Sequence, residues 1–364
     1  MAELSLDERL NLVKQVGEEI ITEEELKKLL SEKKQLIAYD GFEPSGKIHI
    51  AQAVLRSINI NKMAKAGVKF KMFVADWHAW ANNKMGGDLE KIKTVGKYFI
   101  EVWKACGMDL NNVEFIWASD LVKDDNYWKI VMQVARGATV KRIIRCGQIM
   151  GRADDEVMQA SQILYPCMQC ADIFYLKADI CQLGMDQRKV NVLAREIGES
   201  LGFWKPVIVS HHMLMGLLPP SSGLDDAKDA KDKAIEMKMS KSKPDSAIFM
   251  TDTEEEIKRK MAGAYCPAKQ VHENPVLEYC KYILFEKFNE LKVERPEKFG
   301  GNVTFKSYAE LEKAFAEGKL HPADLKGMAA KYVNLVVEPV RKHFEADKKA
   351  SELKRLVESF KVTR

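Results

Sequence analysis

Short apolar runs alternate with longer helix-like stretches over the first two thirds of the chain. Runs typical of buried strands occur at residues 36–39, 70–75, 113–118, 178–182 and 206–210. Between them, apolar residues recur at helical spacing, as at Ile50, Val54 and Ile58. Strands that alternate with helices favour a parallel sheet covered by helices. We therefore predict an α/β fold with a Rossmann-like parallel sheet domain at residues 36–245.

The pattern changes at both ends of this domain and once inside it. Residues 1–35 contain two amphipathic helices, which we expect to pack on the sheet domain without chemistry of their own. Residues 120–165 are mostly helical in pattern, which indicates a helical insertion. From residue 252 the helical pattern continues through 276–288, 308–315, 322–344 and 348–360. These stretches predict a separate all-α domain at residues 252–364.

Composition narrows the class of protein. The chain has 364 residues, 46% hydrophobic and 30% charged, with a net charge of +4. These values suit a globular protein of about two domains, with no apolar run long enough to span a membrane. The polar, acidic start of the chain is unlike a signal or transit peptide, so we expect a cytoplasmic protein. The modest net charge still permits a local basic patch for nucleic acid, such as Lys141, Arg142 and Arg145.

The seven cysteines predict reduced thiols rather than disulfides or a metal centre. Cys167 and Cys170 form a C-x-x-C pair, but zinc needs two further ligands at suitable spacing and the chain has no second pair. We expect buried, inert thiols and no metal site.

The turn after the first strand has the features of a nucleotide site. Gly41 and Gly46 lie between the apolar run and the following helix, an arrangement that presents backbone N–H groups to phosphate. Residues 41–47 read G-x-x-x-x-G-K, but Ile48 stands where a P-loop needs Ser or Thr for Mg²⁺. The dinucleotide fingerprint G-x-G-x-x-G is absent from this turn. His-Ile-Ala-Gln at 49–52 matches two of the four letters of the His-Ile-Gly-His motif of class I aminoacyl-tRNA synthetases.

Polar residues also follow later strands. His78 comes after the second strand, and Gly184, Asp186 and Gln187 come after the fourth. Such residues face the crevice at the carboxyl ends of a parallel sheet. In a helix, Tyr165, Gln169 and Asp172 would share one face, where they can grip a small polar ligand.

A polar loop at residues 219–243 ends in Lys238-Met239-Ser240-Lys241-Ser242. Its composition predicts a mobile surface loop. Two lysines on such a loop can close over a triphosphate and neutralise the charge that develops on leaving pyrophosphate.

Six sequence blocks in the same order resemble the archaeal and eukaryotic tyrosyl-tRNA synthetases, a branch of class I. The blocks are Tyr-Asp-Gly-Phe-Glu-Pro-Ser-Gly-Lys-Ile-His at 39–49, Tyr-Pro…Gln…Asp at 165–172, Gly-Met-Asp-Gln-Arg-Lys at 184–189, Ala-Tyr-Cys-Pro-Ala at 264–268, Arg-Pro-Glu-Lys-Phe-Gly-Gly at 295–301 and Leu-His-Pro…Asp-Leu-Lys at 320–326. The Lys-Met-Ser-Lys-Ser loop agrees with them. The resemblance extends from about residue 36 to about residue 344.

The resemblance implies a two-step ligase. Tyrosine attacks the α-phosphate of ATP, which arrives with Mg²⁺ and needs no dedicated protein metal site, and the tyrosyl group then passes to the 3′ end of tRNA(Tyr). The sheet domain would be catalytic, and residues 252–364 would bind the anticodon. Relatives are homodimers, so the resemblance also implies a homodimer with no membrane partner.

The resemblance also implies site residues. The tyrosine pocket would contain Tyr39 and Asp172 at the phenol, with Tyr165, Gln169 and Gln187 at the amino end and His78 nearby. ATP would meet Gly41, Glu43, Gly46, His49, Gln52, Gly184, Asp186, Lys238, Met239, Ser240 and Lys241. Of these, His49, Gln52, Lys238 and Lys241, together with Ser242, would act in catalysis. Transfer RNA would meet Arg145, Phe299, His321 and Asp324.

Three residues depart from the family pattern: Ala51 for a glycine, Gln52 for the second histidine, and Lys241 where many relatives have serine. We expect an active enzyme with altered ATP kinetics, which a Lys241→Ser variant with unchanged ATP parameters would contradict. Two alternatives stay open from the sequence. One is a tryptophanyl-tRNA synthetase with the same fold, and the other is a catalytically silent paralogue that binds tRNA.

Overall fold

The computed structural model describes residues 4–150, 159–219, 239 and 243–360. The strands are β1 (Glu19–Ile21), β2 (Leu36–Phe42), β3 (Val68–Val74), β4 (Val113–Trp117), β5 (Ile180–Cys181), β6 (Val207–Ser210), β7 (Leu291–Val293) and β8 (Val303–Phe305). The helices before residue 200 are α1 (Leu6–Lys14), α2 (Glu23–Glu32), α3 (Arg56–Lys65), α4 (Asp76–Ala81), α5 (Leu89–Ala105), α6 (Ala118–Leu121), α7 (Asp125–Gly137), α8 (Val140–Cys146), α9 (Ala160–Tyr175) and α10 (Arg188–Ile197). The later helices are α11 (Glu254–Ala262), α12 (Pro275–Tyr279), α13 (Phe285–Lys287), α14 (Tyr308–Ala316), α15 (Pro322–Ala346) and α16 (Lys348–Ser359).

The central sheet has the strand order β1-β6-β5-β2-β3-β4. Strands β2 to β6 pair in parallel, and β1 joins the edge antiparallel to β6. All five predicted strands are present, so the Rossmann-like sheet is confirmed. The chain winds outward from β2 in both directions, through β3 to β4 and through β5 to β6. The switch point between β2 and β5 is where such sheets bind ligands, outside the carboxyl ends of the strands.

Strand β2 divides its side chains between two cores. Ala38 packs in one core with Ile50 and Val54, whereas Tyr39 packs in the other with Tyr165. Successive side chains of a strand point to opposite faces of the sheet, so one apolar run serves both layers. This alternation turns Tyr39 toward α9 and the helical insertion.

Strand β1 is an addition to the predicted pair of N-terminal helices. Glu19 to Ile21 pair with Ser210 to Ile208 between α1 and α2. A three-residue edge strand with half-buried side chains has no apolar periodicity, which is why the sequence pattern did not indicate it. The N-terminal segment is thereby fixed to the sheet.

The C-terminal region is helical, as predicted, with one small exception. Strands β7 and β8 form a two-stranded antiparallel sheet, in which Leu291 and Val293 are buried and Lys292 is exposed. Three residues of alternation are too few to predict a strand. Helices α15 and α16 return to the sheet domain, where Tyr98 of α5 packs 5.3 Å from Phe344 between ring centroids.

The predicted insertion consists of α6, α7 and α8, with α9 packed against α7 and α8. All seven cysteines are buried free thiols, as predicted. Burial raises the pKa values of Cys167 and Cys170, in keeping with inert thiols. Among the described helices, none combines the length and the apolar character needed to cross a lipid bilayer.

Candidate active site

Asp172 lies in a cluster of buried polar side chains from β2, α4, α7 and α9, which we call the candidate pocket. It is 1% exposed, and each of its oxygens meets a side chain. Oδ1 accepts a hydrogen bond from Tyr127 at 2.9 Å, and Oδ2 lies 2.8 Å from Nε2 of His78. Burial lowers the pKa of His78, but the Asp172 carboxylate outweighs that effect, and the net pKa is raised. The charge of Asp172 therefore has two partners: the hydroxyl of Tyr127, which donates a hydrogen bond, and the imidazole of His78, which can take up a proton.

Tyr39 enters the same pocket from β2. It is 1% exposed, and burial, followed by the nearby acidic groups, raises its pKa well above the usual range. Its hydroxyl is buried without a hydrogen-bond partner among the described residues. An orphaned buried hydroxyl is costly and indicates a partner that arrives with a ligand.

Helix α9 brings together the three residues predicted to share a face. The ring of Tyr165 packs edge-on against His78, with centroids 5.2 Å apart, and His78 reaches Asp172 two turns further along. Between them, Gln169 donates a hydrogen bond to Gln187 at 3.1 Å. Amides, hydroxyls and a carboxylate thus line one continuous wall.

Glu43 links this wall to the turn after β2. Its carboxylate accepts a hydrogen bond from Asn82 at 3.0 Å, and it lies near the hydroxyl of Tyr165. Burial, and then this carboxylate, raise the pKa of Tyr165 well above its usual range. Glu43 is predicted to meet ATP, and it lies here between Asn82 and Tyr165.

The turn that follows contains the glycines that are predicted to let the backbone approach a phosphate. Gly41 is the second-last residue of β2, and Gly46 has a φ of 100°, in the left-handed region that favours glycine. The helix then starts as a π-turn at Ala51–Leu55 and continues into α3. Gln52 stands in the first turn, with its side-chain oxygen buried and without a hydrogen-bond partner among the described residues.

The backbone around His49 pairs with the segment that follows the lysine-rich loop. Ile50 N donates to Ile248 O at 2.9 Å, and Met250 N donates to Ile48 O at 3.1 Å. This pairing fixes the chain just beyond residue 243 beside His49. Met239 is buried and lies 3.9 Å from the hydroxyl of Tyr279. Lys238, Ser240, Lys241 and Ser242 lie outside the described residues, as does most of the predicted loop 219–243.

Gly184 and Asp186 complete the opposite wall, beyond β5. A Cβ on Gly184 would lie 2.6 Å from Met213 Sδ and 2.7 Å from Asp186 Oδ1, so a larger residue there would displace these two side chains. Gly184 also forms a parallel bridge with His211 beyond β6. The ends of β2, β5 and β6 therefore surround one crevice, as the strand-end residues predicted.

Sequence reasoning missed four residues that connect the ends of β2, β5 and β6. Arg56, the first residue of α3, contacts Asp40 of β2, Gln182 after β5 and His211 after β6. Burial raises the pKa of Asp40 to about 7 although Arg56 opposes the shift, and burial lowers that of Arg56 to about 10. A signal was available: Asp40 is a charge inside an apolar strand, and Arg56 a charge on a buried helix face.

The predicted RNA residues lie elsewhere on the surface. Phe299 is 61% exposed, His321 caps α15 by accepting from Ala323 N, and Asp324 lies in the first turn of that helix. Asp324 is 3.7 Å from Arg295. Arg145 is exposed on α8, remote in sequence and fold from these three.

A pocket with a polar floor beside a phosphate-binding turn can hold an amino acid and a nucleotide together. It contains no described cluster of three or more metal-ligating side chains. It also needs no side-chain nucleophile if the bound acid itself attacks, because holding two reactants in contact supplies much of the rate enhancement.

Comparison with known proteins identifies the family. Residues 31–338 match the family described as tRNA synthetases class I (W and Y). Tyrosine–tRNA ligase 1, cytoplasmic, of Arabidopsis thaliana is 52% identical, over 99% of this chain and 90% of the relative. A tyrosyl-tRNA synthetase of Pyrococcus horikoshii solved with L-tyrosine superposes with a TM-score of 0.90 at 40% identity, over 97% of this chain and 100% of that one.

A Leishmania major tyrosyl-tRNA synthetase solved with tyrosinol has a TM-score of 0.88 at 44% identity, over 99% of this chain but only 53% of that one. This chain thus spans about half the length of the Leishmania protein and nearly all of the Pyrococcus one. Because these relatives are named for tyrosine, they favour a tyrosine–tRNA ligase over the tryptophanyl-tRNA synthetase that the sequence had left open. The chain belongs to the tyrosine–tRNA ligases, within the class I tRNA synthetases for tryptophan and tyrosine.

Proposed function

We propose that the candidate pocket binds L-tyrosine, with its phenol between Tyr39 and Asp172. The observation that carries this assignment is the orphaned hydroxyl of Tyr39 beside an acceptor that is already held in place. The substrate phenol donates to Asp172 and accepts from Tyr39, which satisfies both groups. Tyr165, Gln169 and Gln187 meet the amino end, and His78 holds Asp172 from the side.

ATP then lies across the turn after β2, with its phosphates toward His49 and Gln52. Gly41 and Gly46 allow close approach of the backbone, and Gly184 and Asp186 face the nucleotide from the end of β5. The tyrosine carboxylate attacks the α-phosphate, and pyrophosphate leaves toward the loop that carries Lys238 and Lys241. Mg²⁺ accompanies the ATP phosphates, as is usual for this ion.

The helical region at residues 252–364 receives the anticodon. Phe299 offers an exposed ring for stacking a base, and Asp324 offers a carboxylate to a base edge. His321 stands beside Asp324 at the start of α15. Arg145 contacts the acceptor stem. The tyrosyl group passes to the 3′ end of tRNA(Tyr), and the protein acts in the cytoplasm, as its plant relative is named to do.

The proposed function includes a homodimer. Exposed apolar side chains occur on α7 and α8 of the insertion and on α4 and α9 beside it: Trp80, Met132, Val140, Ile144 and Leu164. Large exposed apolar patches on soluble proteins mark interaction surfaces. We assign this face to a second copy of the chain.

Tyrosine-dependent exchange of labelled pyrophosphate into ATP tests the assignment, with tryptophan and phenylalanine in parallel. Exchange with tyrosine alone is the expected result. Exchange with tryptophan would overturn the roles of Tyr39 and Asp172. Folded protein without exchange would instead favour an RNA-binding paralogue.

A further inference from the structure

The guanidinium of Arg56 lies where three strand ends and one helix meet. It is 1% exposed, so its contacts are made inside the protein. Nη1 lies 3.3 Å from Asp40 Oδ2 and 2.7 Å from His211 Nδ1, and Nη2 donates to Gln182 Oε1. Nη1 also lies 3.4 Å from the carbonyl oxygen of Gln182. One cation thus holds β2, the segment after β5 and the segment after β6.

Each partner of Arg56 adjoins a residue assigned to substrate. Asp40 stands between Tyr39 and Gly41 in β2. Gln182 precedes Gly184 by two positions, and His211 brackets Gly184 through its backbone. His211 N donates to Leu183 O at 2.9 Å, and Met185 N donates to His211 O at 3.2 Å. The segments that carry the tyrosine and nucleotide residues therefore all end on the same guanidinium.

The helix itself is the fourth element. Arg56 follows directly after the π-turn Ala51–Leu55, which contains Gln52. A guanidinium presents its donors in a rigid planar fork, so the contacts on different strands have fixed relative positions. The distance from the helix start to the three strand ends is set by this fork.

The chemistry of the partners matches a permanent cation. Burial, and then the charge of Arg56, keep His211 neutral by lowering its pKa well below the usual value, so its Nδ1 accepts from Arg56. The backbone N–H of Gly41, like Arg56, lowers the pKa of Asp40 against the larger effect of burial. Removal of the cation would leave a buried acid without its partner, which is strongly unfavourable.

We propose that Arg56 is a positioning residue for adenylate formation, which sets the spacing between the ATP-binding helix start and the strand ends that hold tyrosine and nucleotide. The inference rests on the proposed function. Arg56 does not touch substrate in it. Its effect reaches ATP through Gly41 and Gly184, which its partners hold.

The test compares Arg56→Gln and Arg56→Lys in the full chain with matched changes at Arg195. Arg195 is also buried, donates to Pro206 O at 2.9 Å and pairs with Glu25, but it lies at the amino end of β6, away from the crevice. Pyrophosphate exchange is measured with ATP and tyrosine titrated separately, and each variant is also followed by thermal unfolding.

Arg56→Gln is expected to lower kcat/KM for ATP by about 10- to 100-fold, because displacement of reacting groups by about 1 Å costs that much. The tyrosine KM should change less, and Arg56→Lys should recover part of the loss because it keeps the charge but not the fork. Arg195→Gln should lower the unfolding temperature with ATP parameters within about twofold of the unchanged chain.

Equal losses of activity at the two arginines, or ATP parameters unchanged in a folded Arg56→Gln protein, would overturn the inference. If Arg56→Gln does not fold, Arg56→Lys and Asp40→Asn carry the same comparison. Absence of tyrosine-dependent exchange in the unchanged chain would overturn the proposed function first, and this inference with it. Exchange in the unchanged chain with an unaffected Arg56→Lys protein would overturn the inference alone.

Discussion

Tyr127 donates a hydrogen bond to Asp172 across 45 positions of the chain, with Oη 2.9 Å from Oδ1. Tyr127 is buried, and burial followed by the Asp172 charge raises its pKa well above the usual range, so it stays a donor. With His78 at the other oxygen, Asp172 has a fixed orientation before any substrate enters. In the proposed function, the pocket is therefore organised in advance for a phenol.

Replacement of Tyr127 by phenylalanine should impair use of tyrosine. A hydrogen bond to a charged group contributes about 1.5–3 kcal/mol, so kcat/KM for tyrosine in the exchange reaction should fall by about 10-fold or more. Loss of the donor leaves Oδ1 free to take other orientations. Titration of tyrosine at saturating ATP measures the effect.

Tyr175→Phe is the matched control. Tyr175 packs 5.7 Å from Tyr127 between ring centroids, and it donates to Asp124 at 2.7 Å outside the pocket. It should leave the tyrosine KM within about twofold of the unchanged chain. Equal effects of the two variants would mean that Tyr127 acts only on stability.

Tyr39→Phe should change the choice between tyrosine and phenylalanine. In the unchanged chain, phenylalanine leaves the Tyr39 hydroxyl buried and unpaired, and unpaired polar groups are what reject a substrate that lacks a hydroxyl, a rule for which tyrosine–tRNA ligases are themselves a standard example. The variant removes that group, so the ratio of kcat/KM for tyrosine to that for phenylalanine should fall by about 10-fold.

Tyr98→Phe serves as the comparison, because Tyr98 is a buried tyrosine of α5 that packs against Phe344 rather than in the pocket. Its discrimination ratio should equal that of the unchanged chain. If the ratio is unchanged in Tyr39→Phe, the substrate phenol does not contact the hydroxyl of Tyr39.

The sequence predicted the parts of this site that depend on local spacing. Tyr165, Gln169 and Asp172 share a helix face because residues three and four positions apart are neighbours on a helix. The polar residues at the strand ends could be recognised because each follows an apolar run. Tyr127 was not predicted, since its helix gives no local sign of the aspartate it meets.

The contacts of Arg56 could not be predicted from the sequence for a related reason. Arg56 meets residues 126 and 155 positions away, and no periodic pattern connects them. Single buried charges indicate that partners exist, but only the strand order β6-β5-β2 brings Asp40, Gln182 and His211 to one point. Short elements such as β1, β7 and β8 escaped because three residues form no period.

His212 should make the stability of the chain depend on pH. It lies between Glu18 at 3.2 Å and Glu278 at 3.1 Å and stacks on Tyr282. Burial alone would lower its pKa, but the two glutamates raise the pKa to about 9. The folded pKa exceeds the unfolded one, so the stabilisation is fully present below about pH 6.5 and is lost as pH rises through 9.

Urea unfolding across pH 6 to 10 measures this contribution, which should reach about 1–3 kcal/mol in the unchanged chain. His212→Gln should be less stable at neutral pH and should lose less stability as the pH rises. His272→Gln, at an exposed histidine, is the control and should retain the slope of the unchanged chain. Parallel slopes in the unchanged chain and in His212→Gln would contradict the prediction.

Phe299→Ala should separate the two steps of the reaction. Stacking of a base on an aromatic ring contributes about 1–3 kcal/mol, so charging of tRNA(Tyr) should lose about 10-fold in kcat/KM for tRNA. Pyrophosphate exchange needs no RNA and should stay unchanged. Leu356→Ala, at an apolar residue of α16 that is 38% exposed, should alter neither step. A parallel loss in exchange would mean that the exposed ring supports the fold instead.

Ile144→Asp should weaken the proposed homodimer. Ile144 is 41% exposed on α8, next to Val140, which is 66% exposed, and a carboxylate there would have to be buried against a second copy of the chain. Sedimentation velocity at micromolar concentration should show a dimer for the unchanged chain and a monomer for the variant. Leu110→Asp places the same charge at a 43% exposed residue before β4, remote from α8 in sequence, and should leave the dimer intact. A monomeric unchanged chain, or dissociation by both variants, would move the contact surface away from α8.

The face that contains Ile144 belongs to the insertion that also carries Tyr127. If the second copy of the chain stabilises α7, the monomeric variant should therefore lose tyrosine affinity as well. Tyrosine titration of the same sample measures that coupling.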